Sequence, residues 1–325
     1  MPDGKVKKVL TTQTKTLCFI SPCLNESENI ELLYKKLLEV ANDVKTKFNI
    51  DYRIVFIDDG STDNTWEMLN QISLKNPKVK SLKLSRNFGK ENALLAGFEN
   101  APTCDYYVTL DADLQDDPAV ISRMIASANQ GFEIVYAQRA SRTDSFLYVL
   151  CTKIFYKIML IGSKVKFPSN VSDFYLITDK VKNALLQMQE SVRYTRGLVF
   201  YTGFSKTGVQ YDRPNRNAGK SNFNFIKLTI FMFDAITSFT SLPVHLISLI
   251  GLILSVLSFV FGLGYIILNV FSGNVFLGWG SLMAVAIFLG SVQILMVGVV
   301  AEYIARMNIE LKRRPKYFLA EIIND

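Results

Sequence analysis

From Thr16 to about Gln138 the chain alternates between two apolar patterns. The short runs TLCFIS, YRIVFID, VKSLKLS, YYVTLD and FEIVYAQ have the length and composition of strands. Residues 27–46, 63–75, 89–100 and 118–130 between them read as helices; in the first, Ile30, Leu33, Leu37, Leu38 and Ala41 recur at helical spacing. Such alternation predicts an α/β fold, a mainly parallel sheet covered on both faces. Ligands of these sheets bind beyond the carboxyl ends of the strands. The polar segments fall there: PCLNESEN after the first run, DDGSTDNT after the second, SRNFGKEN after the third and DADLQDD after the fourth.

The pattern changes in the second half. No Asp, Glu, Lys or Arg occurs between Asp234 and Glu302. A charge at the centre of a membrane helix costs about 2.5–3.5 kcal/mol, and a span needs about 20 apolar residues. The interval therefore holds two passes, expected at about 243–268 and 277–301. Residues 145–162 are apolar but carry Lys153 and Lys157, which suits a basic amphipathic helix in a membrane interface or a core helix; 222–242 has a similar character. Residues 211–221, YDRPNRNAGKS, form a polar, basic loop. The tail RMNIELKRRPKYF follows the second span, where positive charge marks the cytoplasmic side. A hairpin with both termini cytoplasmic follows.

Charge and composition then exclude several classes. The net charge is +7, but the basic residues are not interleaved with aromatics on one surface, so no nucleic-acid partner is expected. The 4 cysteines have neither CxxC pairing nor zinc spacing and read as reduced thiols. The N-terminus has lysines without an apolar run, so no secretory leader is expected. The 1 histidine, His245, sits at the mouth of the first span, which argues against Ser-His-Asp chemistry. GKS at 219–221 lacks the glycine a phosphate-binding P-loop needs, because position 214 is Pro214.

The strand-end segments suggest specific chemistry. Asp111 and Asp113, at i and i+2 of an extended segment, point to one side and can share a divalent ion, Mg²⁺ or Mn²⁺; Gln115 continues the parity as a third oxygen donor. Asp117, before Pro118, reads as a helix cap, and Asp116 as solvated. Asp58 and Asp59 can accept hydrogen bonds from a base or ribose, Gly60 allows a tight turn, and Ser61 or Asp63 can cap the next helix. Arg86, Asn87, Gly89 and Lys90 precede a helix and suit an anionic ligand, or a capped turn with exposed charges.

Taken together, PCLNESENI, DDGSTDNT, LSRNFGKENALLAGF and LDADLQDDP resemble the successive motifs of family 2 glycosyltransferases of GT-A fold. The likeness continues through SDFYLIT, RGLVFYTGF, YDRPNRNAGKS and AEYIARMNIELKRRPKYF, and covers roughly residues 16–320. It is strongest to the polyprenyl-phosphate branch, which holds bactoprenol glucosyltransferases, aminoarabinosyl transferases and dolichol-phosphate mannose synthases; the two spans favour the bactoprenol type. No Q-x-x-R-W motif of processive synthases is present, which implies transfer of a single sugar.

The resemblance implies roles. Pro22, Asn25, Glu26, Asp58 and Asp59 would line the nucleotide pocket, and Asn87, Gly89 and Lys90 would lie near ribose and diphosphate. Asp111, Asp113 and Gln115 would hold the metal, Asp173 would face the donor sugar or acceptor, and Arg139, Arg213, Arg216 and Lys220 would meet the acceptor phosphate. The expected organisation is a tail at 1–15, a GT-A domain at 16–221, an interfacial helix at 222–242, two membrane helices at 243–301 and a basic cytoplasmic tail at 302–325. The expected reaction is an inverting, metal-dependent transfer of one hexose from a nucleotide sugar, with UDP-glucose as the donor, to undecaprenyl or another polyprenyl phosphate on the cytoplasmic membrane face. GDP-mannose, UDP-N-acetylglucosamine and a UDP-aminoarabinose derivative are alternative donors. A membrane-bound sugar nucleotidyltransferase and a glycolipid flippase or scaffold are competing functions. The family further implies a homo-oligomer, a tetramer.

Overall fold

The computed structural model describes residues 14–139, 168, 171–190, 193–211, 249–254, 256–257, 260–261, 264, 271 and 279–325. The chain divides into two compact units: one of Met1–Tyr148, Val165–Ser221 and Pro315–Asp325, the other of Val149–Lys164 and Asn222–Arg314.

The first unit holds the sheet. Its strands are β1 (Thr16–Cys23), β2 (Asp51–Asp58), β3 (Val79–Leu84), β4 (Tyr106–Thr109), β5 (Ile134–Arg139), β6 (Val171–Thr178), β7 (Lys206–Tyr211) and β8 (Leu319–Ile323). Its helices are α1 (Ser27–Phe48), α2 (Thr65–Lys75), α3 (Lys90–Asn100), α4 (Val120–Asn129), α5 (Asp179–Leu186) and α6 (Thr195–Tyr201). The five strands and four helices expected up to Gln138 all form, with ends shifted by a few residues.

Strand order is β7-β5-β6-β4-β1-β2-β3-β8. β2 and β4 flank β1 in parallel, and β3 continues in parallel beyond β2. Burial explains this arrangement. Leu17–Ile20 and Ile54–Ile57 are wholly buried, so both faces of the central strands are covered. Side chains of one parity in β1 and β2, Leu17, Phe19, Ile54 and Phe56, join Ile30, Leu33 and Leu37 of α1 in one core. The other parity meets α3. A Cβ on Gly97 would lie 2.7 Å from Ile20 Cγ2 and 2.8 Å from Ile57 Cδ1, so only glycine lets α3 approach this closely.

The sheet is mixed. β6 is antiparallel to both β4 and β5, and β8 is antiparallel to β3. Neither strand belonged to the alternating pattern. The stretch expected as a basic tail from 302 behaves otherwise: its first part continues a helix to Lys312, and Leu319–Ile323 is the sheet's last strand. The unit carrying the sheet thus extends beyond 16–221 to recruit Pro315–Asp325. Cys18, Cys23 and Cys104 are free and buried, and Cys151 lies outside the described residues.

The second unit contains α7 (Trp279–Lys312). Within it, Phe288–Lys312 is long and apolar enough to cross a membrane, with mean hydropathy 1.8. Leu282, Phe288, Ile294, Val297 and Ile304 are all exposed. The expected span at 243–268 is described only in part, as helix at 249–254 and at scattered positions after it. The proposed interfacial helices at 145–162 and 222–242, and His245, lie outside the described residues.

Candidate active site

β1 pairs with β2 on one side and β4 on the other, while the chain runs β1-β2-β3 before returning to β4. This is a topological switch point, where the loops leaving neighbouring strands turn to opposite faces and open a crevice. A cleft of about 200 Å³ occupies it, lined by Pro22, Cys23, Leu24, Glu26, Asp59, Lys90, Asp111, Ala112 and Asp113. A larger hollow of about 450 Å³, bordered by Arg53, Lys78, Lys80 and Asn324, lacks comparable chemistry. Its lysines are already paired, Lys78 with Asp51 and Lys80 with Asp325.

The first two strand-end loops are stitched together. Successive backbone amides of Asn25, Glu26 and Ser27 donate to Ser61 Oγ (2.9 Å), Thr65 Oγ1 (2.9 Å) and Asp63 Oδ2 (3.2 Å). Asn25, at φ 55°, accepts from the Thr62 amide in return at 2.8 Å. Asp63 also accepts from the Thr65 amide at 3.0 Å, so it serves the starts of both α1 and α2. Burial alone would raise its pKa, but the bonds from Thr65 and Ser27 prevail and hold it at about 2. The second half of DDGSTDNT is thus occupied with local structure.

Asp59 organises the third loop. Its carboxylate accepts from the Phe88 amide at 2.7 Å and the Gly89 amide at 2.9 Å. Gly60, at φ 73°, lets the two loops touch: a Cβ there would lie 2.4 Å from Arg86 C and 2.5 Å from Asn87 N. Asn87 accepts from the Gly89 amide at 2.9 Å. Asp58 is wholly buried, accepts from the Ser61 amide at 3.1 Å and leaves Oδ2 without a hydrogen bond. Of the residues expected around a nucleotide, Pro22, Glu26, Asp59 and Lys90 line the cleft, whereas Asn25, Asp58, Asn87 and Gly89 shape the loops behind it.

Lys90, the first residue of α3, is the centre of the charge arrangement. Its Nζ lies 2.7 Å from Asp111 Oδ1, 2.8 Å from Asp111 Oδ2 and 2.9 Å from Asp173 Oδ2. Asp173 arrives on β6, whose main chain is bonded to β4 through Thr109 Oγ1 at 2.8 Å. Burial would lower the Lys90 pKa, but Asp173 and Asp111 outweigh it and hold the ammonium charged. Burial raises Asp111, Lys90 opposes, and Asp173 and Asp113 add to the rise. Burial likewise raises Glu26 against its bond from Asn29, with Asp113 and Asp111 contributing. The cleft is rich in negative charge that Lys90 only partly offsets.

The structure departs from strand parity at the acidic segment. β4 ends at Thr109, and Asp111–Leu114 is a turn with Leu114 at φ 57°. Asp111 and Asp113 nevertheless share the cleft, because the turn carries both there. Gln115, placed by parity, is not among the lining residues; its amide donates to Asp113 Oδ1 at 3.1 Å. Asp116 is a correction: it is buried and accepts from the Tyr211 hydroxyl, rather than being solvated. Asp117 accepts from the Ala119 amide at 3.0 Å in the turn before α4, whose N-cap is Ala119 rather than the expected Asp117.

Among the described residues no three His, Cys, Asp or Glu side chains form a metal-binding group. An ion here would rest on the Asp111–Asp113 pair and take its other oxygens from a ligand's phosphates, a mode Mg²⁺ favours. The donor set fits that mode.

Sequence reasoning missed the support behind Asp173. Arg196 Nε lies 3.5 Å from Asp173 Oδ1 and donates to Tyr194 Oη at 2.8 Å, while Arg196 Nη1 donates to the Val171 carbonyl at 2.6 Å. Glu91, raised by burial against its bond from Thr195, accepts the Thr195 amide at 2.8 Å and ties this segment to α3. The RGL motif carried a signal for Arg196, but nothing local pointed to Asp173 as its partner. Arg139 ends β5 with its side chain outside the description, and Arg213, Arg216 and Lys220 lie outside the described residues.

A mainly parallel α/β sheet with an acidic cleft at its switch point is the GT-A-like form of the nucleotide-binding fold. The family described as Glycosyl transferase family 2 matches residues 18–176, and the GtrB C-terminal hairpin matches 245–307. A Synechocystis sp. protein described as an uncharacterized glycosyltransferase is 37% identical over 310 residues, covering 95% of this chain and 96% of that one. The prophage bactoprenol glucosyl transferase homolog of Escherichia coli (strain K12) is 36% identical over 307 residues, covering 94% and 99%. The SfII prophage-derived bactoprenol glucosyl transferase of Shigella flexneri is 36% identical over 304 residues, covering 93% and 97%. The chain belongs to glycosyl transferase family 2 and is a glycosyltransferase.

Proposed function

We propose that this enzyme transfers one hexose from a nucleotide sugar to a polyprenyl phosphate at the cytoplasmic face of a membrane. The observation that carries the proposal is the switch-point cleft, which Glu26, Asp59, Asp111 and Asp113 line together with a single lysine. An anionic diphosphate needs cations there, and Lys90 together with an ion on the carboxylate pair supplies them. The near full-length likeness to bactoprenol glucosyl transferases supports the lipid acceptor and favours UDP-glucose as donor. The apolar helix Phe288–Lys312 and the hairpin match at 245–307 support a multi-pass anchor with both termini cytoplasmic.

In the reaction, a phosphate oxygen of the lipid forms a bond to the anomeric carbon. The bond from that carbon to the donor diphosphate breaks, and the nucleoside diphosphate leaves with the electron pair. In-line attack inverts the configuration. A lipid phosphate is already anionic near neutral pH, so no strong base is required. Asp173, salt-bridged to Lys90, suits stabilisation of positive charge on the sugar better than proton removal. Lys90, in the cleft lining, supplies positive charge to the departing diphosphate. Arg139, Arg213, Arg216 and Lys220 are the groups for the acceptor phosphate, Arg through its fork geometry. Mg²⁺ or Mn²⁺, held by Asp111 and Asp113, supplies further charge neutralisation to the leaving group when bound.

The test supplies purified protein with undecaprenyl phosphate, Mg²⁺ and a panel of nucleotide sugars, and weighs the lipid product by mass spectrometry. A lipid phosphate heavier by one hexosyl residue, now a phosphodiester, with release of nucleoside diphosphate, is expected. Pyrophosphate release, or no lipid product with any donor, refutes the proposal.

A further inference from the structure

The C-terminal residues Tyr317–Asn324 hold the element that presents Lys90. β8 pairs antiparallel with β3, from Ser81↔Ile323 to Leu84↔Leu319. The pairing extends past β3 into the loop of residues 85–89: the Ser85 amide donates to the Phe318 carbonyl at 2.9 Å. The Phe318 ring lies 6.2 Å from that of Phe88, and the Arg86 guanidinium lies 4.1 Å from the Phe88 ring. Phe88 and Gly89 are the residues whose amides bind Asp59, and Lys90 follows directly. At the far end of α3, the Tyr317 hydroxyl donates to the Glu99 carboxylate and accepts from Asn100 Nδ2 at 3.1 Å. Asn324 Nδ2 fastens the strand's end by donating to the Ser73 carbonyl at 2.6 Å and the Val79 carbonyl at 2.7 Å.

Two adjacent residues thus grip α3, one at the loop before it and one at its last turn. Phe318 is 55% exposed, so filling the core does not explain its contact with Phe88. We propose that Tyr317 and Phe318 are positioning residues for the donor site: they seat the 85–89 loop and α3 so that Lys90 is placed in the cleft. This rests on the reading that Lys90 and its loop meet the donor diphosphate. Residues 313–318 are all that separates Lys312, the end of α7, from β8. The segment that follows the apolar helix is therefore the one that seats the donor loop.

The test uses the full chain in detergent, with UDP and GDP as probes in the presence of Mg²⁺, read by calorimetry. Lys90→Met tests the underlying reading and is expected to abolish most nucleotide affinity. Phe318→Ala is expected to weaken binding by up to about tenfold, the scale of one lost aromatic pair. It should raise the donor KM more than it lowers kcat, and speed hydrogen exchange at the Phe88, Gly89 and Lys90 amides. Phe318→Tyr should restore all three. Tyr317→Phe removes only a hydroxyl; it should speed exchange at the end of α3 and weaken binding less. If Lys90→Met weakens binding while Phe318→Ala and Tyr317→Phe do not, the positioning role falls and the donor reading stands. If Lys90→Met also leaves binding unchanged, the donor reading falls and the positioning role with it. A Phe318→Ala effect matched by a general loss of unfolding temperature, and not rescued by tyrosine, also overturns the positioning role.

Discussion

Gly60→Ala isolates how much the contact between two strand-end loops matters. Two effects act at this site. The backbone sits at φ 73°, where an L side chain costs about 1–2 kcal/mol. The new Cβ would also lie 2.4 Å from Arg86 C and 2.5 Å from Asn87 N. Carbon atoms settle at about 3.5–4.0 Å, so the 86–87 main chain must retreat by about 1 Å. That motion pulls one of the Phe88 and Gly89 amides from Asp59, a buried carboxylate. Loss of one hydrogen bond to a charged group costs about 1.5–3 kcal/mol. The total for Gly60→Ala is about 2.5–5 kcal/mol. Gly203 supplies the control: its φ is 74° and a Cβ there meets nothing within 4 Å. Gly203→Ala should cost only the backbone share, about 1–2 kcal/mol. Urea unfolding of Trp279→Phe protein, followed by Trp66 fluorescence, reports on the sheet-bearing unit, because Trp66 is buried in α2. UDP binding should fall in Gly60→Ala and persist in Gly203→Ala. Equal destabilisation by the two variants would refute the close-approach reasoning.

Three further outcomes are expected. Asp111→Ala and Asp113→Ala should each remove divalent-ion dependence and most turnover; Mn²⁺ binding with UDP present, followed by electron paramagnetic resonance, should weaken in both, and unchanged binding would remove the carboxylate pair from the metal role. Asp58 carries the pH signature of a buried acid: burial pushes it above 3.8, against the hydrogen bonds from Ser61. A raised folded pKa means that the stabilisation from protonation is complete below 3.8 and is lost as pH rises through the folded value. Wild type should therefore gain stability relative to Asp58→Asn as pH falls from neutrality toward 4, and a pH-independent difference in melting temperature would contradict this. Asp63 has the opposite sign. Burial is outweighed there by bonds from Thr65 and Ser27, and its pKa falls from 3.8 to about 2. Its stabilisation is present above 3.8 and is lost as pH falls through about 2, so the deficit of Asp63→Asn should be full at neutrality and vanish in strong acid.

The parts of the site that were legible early are those written in short-range chemistry. Gly60 and Gly89 stand at turns whose φ values exclude most side chains, and Asp117 before Pro118 announces a capped turn. Asp111 and Asp113 were paired for the wrong local reason. Strand alternation ends at Thr109, and a turn with Leu114 in the left-handed region brings both into the cleft. Asp116 shows the opposite failure. Its polarity suggested solvent, yet Tyr211, 95 positions away, reaches it with a hydroxyl.

What the sequence determined alone is the run of elements from Thr16 to Arg139 and the placing of their polar loops, because strand and helix periods are local and parallel strands buried on both faces leave an unmistakable apolar record. It also marked the apolar stretch up to Glu302, since charge exclusion is a property of composition. Only the tertiary structure decided that β6 enters antiparallel with Asp173 facing Lys90 across 83 positions, and that residues past α7 return as β8. Pairing of distant strands is selected by the free edges the rest of the fold leaves open. A five-residue segment such as Leu319–Ile323 has no period of its own strong enough to reveal which edge it will take.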